Sequence, residues 1–186
     1  PKSSLQYHPV ISTVKIECPL NSIESNAFRK CPLLISFSAP HLKSIGVNSF
    51  SDNYVLGTFI APEVETMKYS ALENCYSLQK LEFPLLTEIP SYCFNNCTNL
   101  SIATFNSCTS IKDHAFGMCI NLTNIEIPLV TTIGDKAFNN CGLLTEISIP
   151  LLNSISDYLF SDCRKLNKIR IDNPISIGNY SFYNCL

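Results

Sequence analysis

The stretch Phe138-Asn139-Asn140-Cys141-Gly142-Leu143-Leu144-Thr145-Glu146-Ile147-Ser148-Ile149-Pro150-Leu151-Leu152-Asn153-Ser154-Ile155 decides the fold of this chain. Its middle alternates, with Ile147 and Ile149 apolar and Glu146 and Ser148 polar. A period of two places the isoleucines on the buried side of a short strand and leaves Glu146 and Ser148 in solvent. Pro150 then marks a corner. The same reading fits Ile125 with Ile127, Leu81 with Phe83, and Ile169 with Ile171.

Outward from this stretch, the arrangement recurs every 22 residues. Phe28, Phe50, Leu72, Phe94, Phe116, Phe138, Phe160 and Phe182 form one row, and Ile23, Ile45, Met67, Ile89, Ile111, Ile133, Ile155 and Ile177 a second. Leu34, Leu56, Leu78, Leu100, Leu122, Leu144 and Leu166 form a third, and Cys31, Asn53, Cys75, Cys97, Cys119, Cys141, Cys163 and Cys185 a fourth. Self-similarity at a fixed short period is the mark of a stacked array. In Ile133 to Cys141, small Ala137 and inward Phe138 and Cys141 suit a single helical or 3₁₀ turn. One unit cannot stand alone. About six inward side chains at ~2 kcal/mol each fall short of the ~1–2 kcal/mol per residue needed to order its backbone. Neighbours must complete the core.

The expected architecture is therefore one domain, an α/β repeat solenoid shaped as a right-handed slab or horseshoe. It carries a parallel sheet of short strands on one face and short helical or 3₁₀ turns on the other. Residues 1–17 read as an N-terminal cap or partial repeat, 18–171 as seven repeats and 172–186 as a partial eighth. Asn53 in the cysteine row and Ala103 in the strand row depart from the pattern. They predict irregularity near 46–60 and 98–108.

The string Phe-x-x-Cys-x-x-Leu-x-x-Ile-x-Ile-Pro-x-x-x-x-Ile resembles the BspA-like (Treponema pallidum-type) leucine-rich repeats of bacterial and protist surface proteins, over residues 18–186. The resemblance implies a cell-surface or secreted, adhesin-like protein that binds host or matrix proteins. It carries no catalytic residue to transfer. The other reading is an intracellular leucine-rich repeat scaffold for protein–protein interaction, which a reduced thiol ladder suits.

Composition narrows the chemistry. The chain has 186 residues, 46% hydrophobic and only 15% charged, with a formal net charge of -2. That is enough apolar material for one core and too little charge to gather nucleic acid or anionic lipid. No stretch approaches the ~18 apolar residues of a membrane span, and residues 1–18 do not read as a signal peptide. Starting at Pro1, the sequence reads as an excised or processed piece. The ten cysteines are expected to be a reduced structural ladder, because stacked Cβ vectors run parallel where a disulfide needs them converging. Cys18 lies outside the ladder and is the expected exposed thiol. His8, His41 and His114 are expected on the surface, and no phosphate loop or nucleophile elbow occurs. Neither an enzyme, a metal nor a cofactor is expected. Asn96, Asn99, Asn121 and Asn179 each begin an Asn-x-Ser/Thr glycosylation pattern, relevant in a secreting eukaryote.

With the strands lining a concave side, the outward strand positions form the candidate protein-binding face. These are Lys80, Glu82, Ile102, Thr104, Asn124, Glu126, Glu146, Ser148, Lys168 and Arg170. No aromatic residue is among them, and the tyrosines fall mostly on the convex or loop side, which leaves an edge or the outer face as the other place to bind. After Ile177, Phe182 and Cys185 no polar cap follows, so weak self-association through the C-terminal end is also expected.

Overall fold

A computed structural model of the chain describes residues 7–185; residues 1–6 of the expected cap, and Leu186 of the expected eighth repeat, lie outside the described residues. Each turn of the solenoid contributes a three-residue strand, such as Asn124–Glu126, and a two-residue strand, such as Thr132–Ile133. Both kinds pair in parallel with the equivalent strand one turn away: Ile125 lies opposite Ala103, and Ile133 opposite Ile111. In the N-terminal segment Thr13–Lys15 forms a first strand that pairs with Ser36–Ser38, Val14 facing Phe37.

The side opposite the strands departs from the expected helical turns, for there is no helix among the described residues. In each turn two residues four apart adopt positive φ, for instance Tyr92 (58°) with Asn96 (61°) and Lys136 (56°) with Asn140 (59°). The N–H groups alternate in direction. Lys136, Phe138 and Asn140 donate to the Asp157, Leu159 and Ser161 carbonyls of the next turn at 3.0, 3.1 and 2.8 Å, while Asn139 and Cys141 close tight turns onto Lys136 and Phe138. An α-helix would direct every N–H along its own axis and leave the stacked turns without main-chain bonds to each other. The linked β-turns keep a third inter-turn ladder, at the cost of left-handed conformations that Asn and Asp tolerate better than other side chains. Accordingly Asp52, Asn74, Asn96, Asn140, Asp162 and Asn184 hold six places of the second positive-φ row, with Lys30 and Met118 in the other two. Asn74 Nδ2 donates to Asp52 Oδ1 at 2.8 Å and Asn96 Nδ2 to Asn74 Oδ1 at 3.0 Å.

The phenylalanine row forms a buried spine. The Phe94, Phe116 and Phe138 rings stack at centroid spacings of 5.3 Å. Where Leu72 interrupts it, Phe59 and Phe83 from the strand side bridge Phe50 to Phe94. Neither Asn53 nor Ala103 disturbs its own turn, although strand pairing lapses after Thr58–Ile60. Asn53 is fully buried, and its amide donates to the Phe28 and Phe50 carbonyls at 2.9 and 2.7 Å while its oxygen accepts from Cys31 N at 2.7 Å. Ala103 stays in register with Leu81 and Ile125 because Phe105, two residues on, supplies the missing volume. The same exchange of large for small pairs Phe37 with Ala39 and Phe59 with Ala61.

Both strand ladders open at two steps. Pairing stops between Thr58–Ile60 and Lys80–Glu82, and again between Asn124–Glu126 and Glu146–Ser148; the two-residue strands break at the same turns. At the first step Pro90 has no N–H to offer the Met67 carbonyl, whereas Lys112 N, one turn later, reaches the Ile89 carbonyl at 2.9 Å. The turn side stays bonded across both, with Leu72 N to Cys93 O at 3.0 Å and Phe138 N to Leu159 O at 3.1 Å. At these two steps the stack is thus joined by main-chain bonds along the turns and not along the strands.

Candidate protein-binding face

All ten candidate residues project from the three-residue strands. Thr104 is half-buried and the other nine are exposed. Each sits beside an inward neighbour, Leu81, Ala103, Ile125, Ile147 or Ile169, as the alternation requires. The open steps turn this face into two grooves. The larger, of about 580 Å³, spans the second step and brings together Asn124, Glu126, Glu146, Ser148, Lys168 and Arg170, while the Ile125 and Ile147 side chains between them are buried in the core. The smaller, of about 400 Å³, spans the first step and holds Lys80 and Glu82. Ile102 and Thr104 line neither groove and form the ridge between them.

The charges on this face are mostly matched. Lys80 pairs with Glu82 at 2.5 Å, Lys168 with Glu146 at 2.9 Å, and Arg170 with Asp172 at 3.0 Å. Glu126 forms no ion pair among the described residues. Asn106, Pro128 and Pro150 complete the larger groove and Gly57 and Ile60 the smaller; the repeat marks the prolines as corners and Ile60 as an outward strand residue, but not as part of the candidate face. They are corner or early-turn residues whose role depends on where the ladder opens. Ile60 and Ile102, 48% and 40% exposed, are the apolar side chains that the face leaves in solvent.

The turn side carries the aromatic residues. Tyr92 and His114 stack at 4.6 Å, Tyr158 and Tyr180 at 5.1 Å, and Lys136 Nζ lies 5.2 Å from the Tyr158 ring. Burial, with the Lys136 charge second, pushes the His114 imidazole below its ordinary value.

The cysteines are structural. The Cys97, Cys119 and Cys141 thiols donate to the Leu72, Phe94 and Phe116 carbonyls at 3.3 Å, and no disulfide is present among the described residues. Burial pushes Cys97 up to about 12 and Cys108 to about 11, so the thiolate that nucleophilic chemistry needs is suppressed. Cys18 is exposed. Among the described residues no cluster of His, Cys, Asp and Glu is placed to hold a metal, and no helix is long and apolar enough to cross a membrane. Of the glycosylation patterns, Asn99 is exposed, whereas the Asn96, Asn121 and Asn179 amides donate to Asn74, Asn99 and Asp157.

The geometry is that of a leucine-rich repeat solenoid, and the BspA type leucine rich repeat region matches it in six copies over residues 21–141 and 87–186. The chain belongs to this family. Its fold is similar to that of a leucine rich cell surface protein from Faecalibacterium prausnitzii A2-165, with a TM-score of 0.76 and 25% identity over 99% of this chain and 61% of that one. It is also similar to the Treponema pallidum leucine rich repeat protein (TM-score 0.62, 22% identity, 90% of this chain and 73% of that one). A leucine-rich repeat protein from Bacteroides ovatus gives a TM-score of 0.57 at 20% identity over 94% of this chain and 64% of that one. The chain thus spans less than two thirds of the length of the Faecalibacterium protein. No curated protein matches it.

Proposed function

We propose that the chain is a non-enzymatic, adhesin-like protein-binding module of a cell-surface or secreted protein, and that it binds through its strand face. The observation that carries this reading is the larger groove, which gathers Asn124, Glu126, Glu146, Ser148, Lys168 and Arg170 from three successive turns onto one rigid surface. A surface that wide suits a macromolecule, and its mixture of polar and singly charged side chains has the make-up of the rim of a transient protein interface. The similarity to a bacterial cell surface protein supports the location.

The test is binding to a panel of purified extracellular-matrix proteins, with albumin as the control. A strand-face variant carrying Ile102→Asp and Glu146→Arg should lose binding that a turn-side variant, Tyr92→Ser with Tyr158→Ser, retains. Loss in the turn-side variant alone, or no protein bound above albumin, overturns the reading.

The intracellular scaffold is the second reading, favoured by ten cysteines without a disulfide. Locating the whole gene product by cell fractionation and surface proteolysis separates the two.

A further inference from the structure

We propose that the corner leading from the turn side into the first three-residue strands is a self-association surface, covered by a second copy of this chain. This corner sets Leu33 and Val55 one turn apart at the same repeat position, with Tyr54 and Tyr76 in the row before them and Ile35 just ahead of the strand Ser36–Ser38. Tyr54 and Tyr76 stack at 4.9 Å. All five side chains are exposed, from 36% for Tyr76 to 57% for Ile35. Val10, exposed and in register with Leu33 through the pairing of Thr13 with Ser36, extends the patch toward the N-terminus. The main chain here is already bonded, Ile35 N–H to Ser12 O at 2.8 Å and Gly57 N–H to Ile35 O at 2.9 Å, so what the corner offers a partner is side-chain surface. The solenoid itself does not need that surface apolar. Later turns hold Asn99, Ser101, Asn121 and Thr123 at the positions of Leu33 and Ile35 and stack equally well.

Area and charge choose the occupant. At these exposures the five side chains present together roughly 450 Å² of largely apolar surface, within the ~300–600 Å² that the largest patch of a typical monomer reaches. A standard interface takes about 800 Å² from each partner, about 65% of it apolar in homodimers, so one side needs roughly 500 Å² of apolar surface. The five residues supply most of that and Val10 the rest. An isologous dimer sets a patch against its own copy, so a lone charge within it would meet its like. None is there: no Asp, Glu, Lys or Arg occupies the repeat positions of Tyr54, Leu33 and Ile35 before Arg164 and Lys165. Asp52, the charge that bears on Tyr54, is paired with Arg29 at 3.4 Å.

Sedimentation velocity of the whole chain, over a concentration series up to millimolar protein, tests this. The parent chain should pass from monomer to dimer. Leu33→Asp with Val55→Asp should weaken the dimer more than about a hundredfold, because each new carboxylate is set against its own copy. Both positions face solvent, so the fold should survive, which the melting temperature checks. Leu33→Asn with Val55→Thr adds no charge and should weaken the dimer by a smaller factor. Leu151→Asp at the other corner, Ile177→Asp at the C-terminal end and the strand-face variant Ile102→Asp, Glu146→Arg should all dimerise like the parent. A monomer at every concentration, a dimer indifferent to Leu33→Asp with Val55→Asp, or one broken by Ile177→Asp instead overturns the proposal. Binding to matrix proteins is read separately, so the dimer can fail while the strand-face reading stands, and the reverse.

Discussion

Asn53 hands its amide N–H across one turn to the Phe28 carbonyl at 2.9 Å, from the position at which the Cys75 thiol reaches the Phe50 carbonyl at 3.2 Å. The cysteine row is thus a row of buried donors to the preceding turn, and Asn53 is its most heavily bonded member. Asn53→Ala removes three hydrogen bonds from a dry site and should cost ~1–3 kcal/mol. Asn53→Cys keeps the thiol-type bond and should cost less. Urea unfolding of the two variants checks this, and equal losses would mean that the row contributes volume alone.

Phe116 lies in the stacked spine between Phe94 and Phe138. Phe116→Ala should cost ~3–5 kcal/mol, whereas Glu126→Ala on the strand face should change stability by less than ~0.5 kcal/mol. Thermal unfolding separates them. Equal effects would mean that inward and outward rows are misassigned.

Alkaline pH should unfold the chain through its thiols. Burial raises Cys97 to about 12 and Cys108 to about 11 from an ordinary 9.0. Below 9.0 the folded and unfolded chains both hold these protons, so stability is complete. Above it the unfolded chain ionises first, and stability falls as pH rises toward the folded values. The urea midpoint is expected to be flat at neutral pH and to drop above 9.0. Cys97→Ala with Cys108→Ala should shallow that drop.

Thiol titration of denatured, non-reduced protein should find nearly all ten cysteines reactive, because no disulfide is present among the described residues. Recovery of most of them as disulfides would overturn the ladder.

The period and the inward rows were legible because each turn repeats the burial problem of the last. Phe94, Phe116 and Phe138 could be assigned to the core without coordinates. The turn conformation was misread, since Ala137, Phe138 and Cys141 face inward equally well from a helical turn or from linked β-turns. The discriminating signal was the Asn or Asp just before the cysteine position, at Asp52, Asn74, Asn96, Asn140 and Asp162. The departures at Asn53 and Ala103 misled because each is compensated, by the amide's own hydrogen bonds and by Phe105. The ten face residues followed from alternation, but the grooves did not. They depend on where backbone pairing lapses, which Pro90 signals at the first step and nothing in the sequence signals at the second.

Hydrogen exchange at single amides tests most directly whether the opened strand face is the binding surface. Ile127 and Ala61 occupy the positions of Phe105, Ile149 and Ala39, whose N–H groups are bonded to the next turn. The amides at the open steps should exchange orders of magnitude faster than their bonded equivalents, and binding of a protein partner should slow Ile127 first. Protection of Ile127 equal to that of Phe105 in the free chain, or a partner that slows only turn-side amides such as those of Tyr92 and Tyr158, would contradict the account.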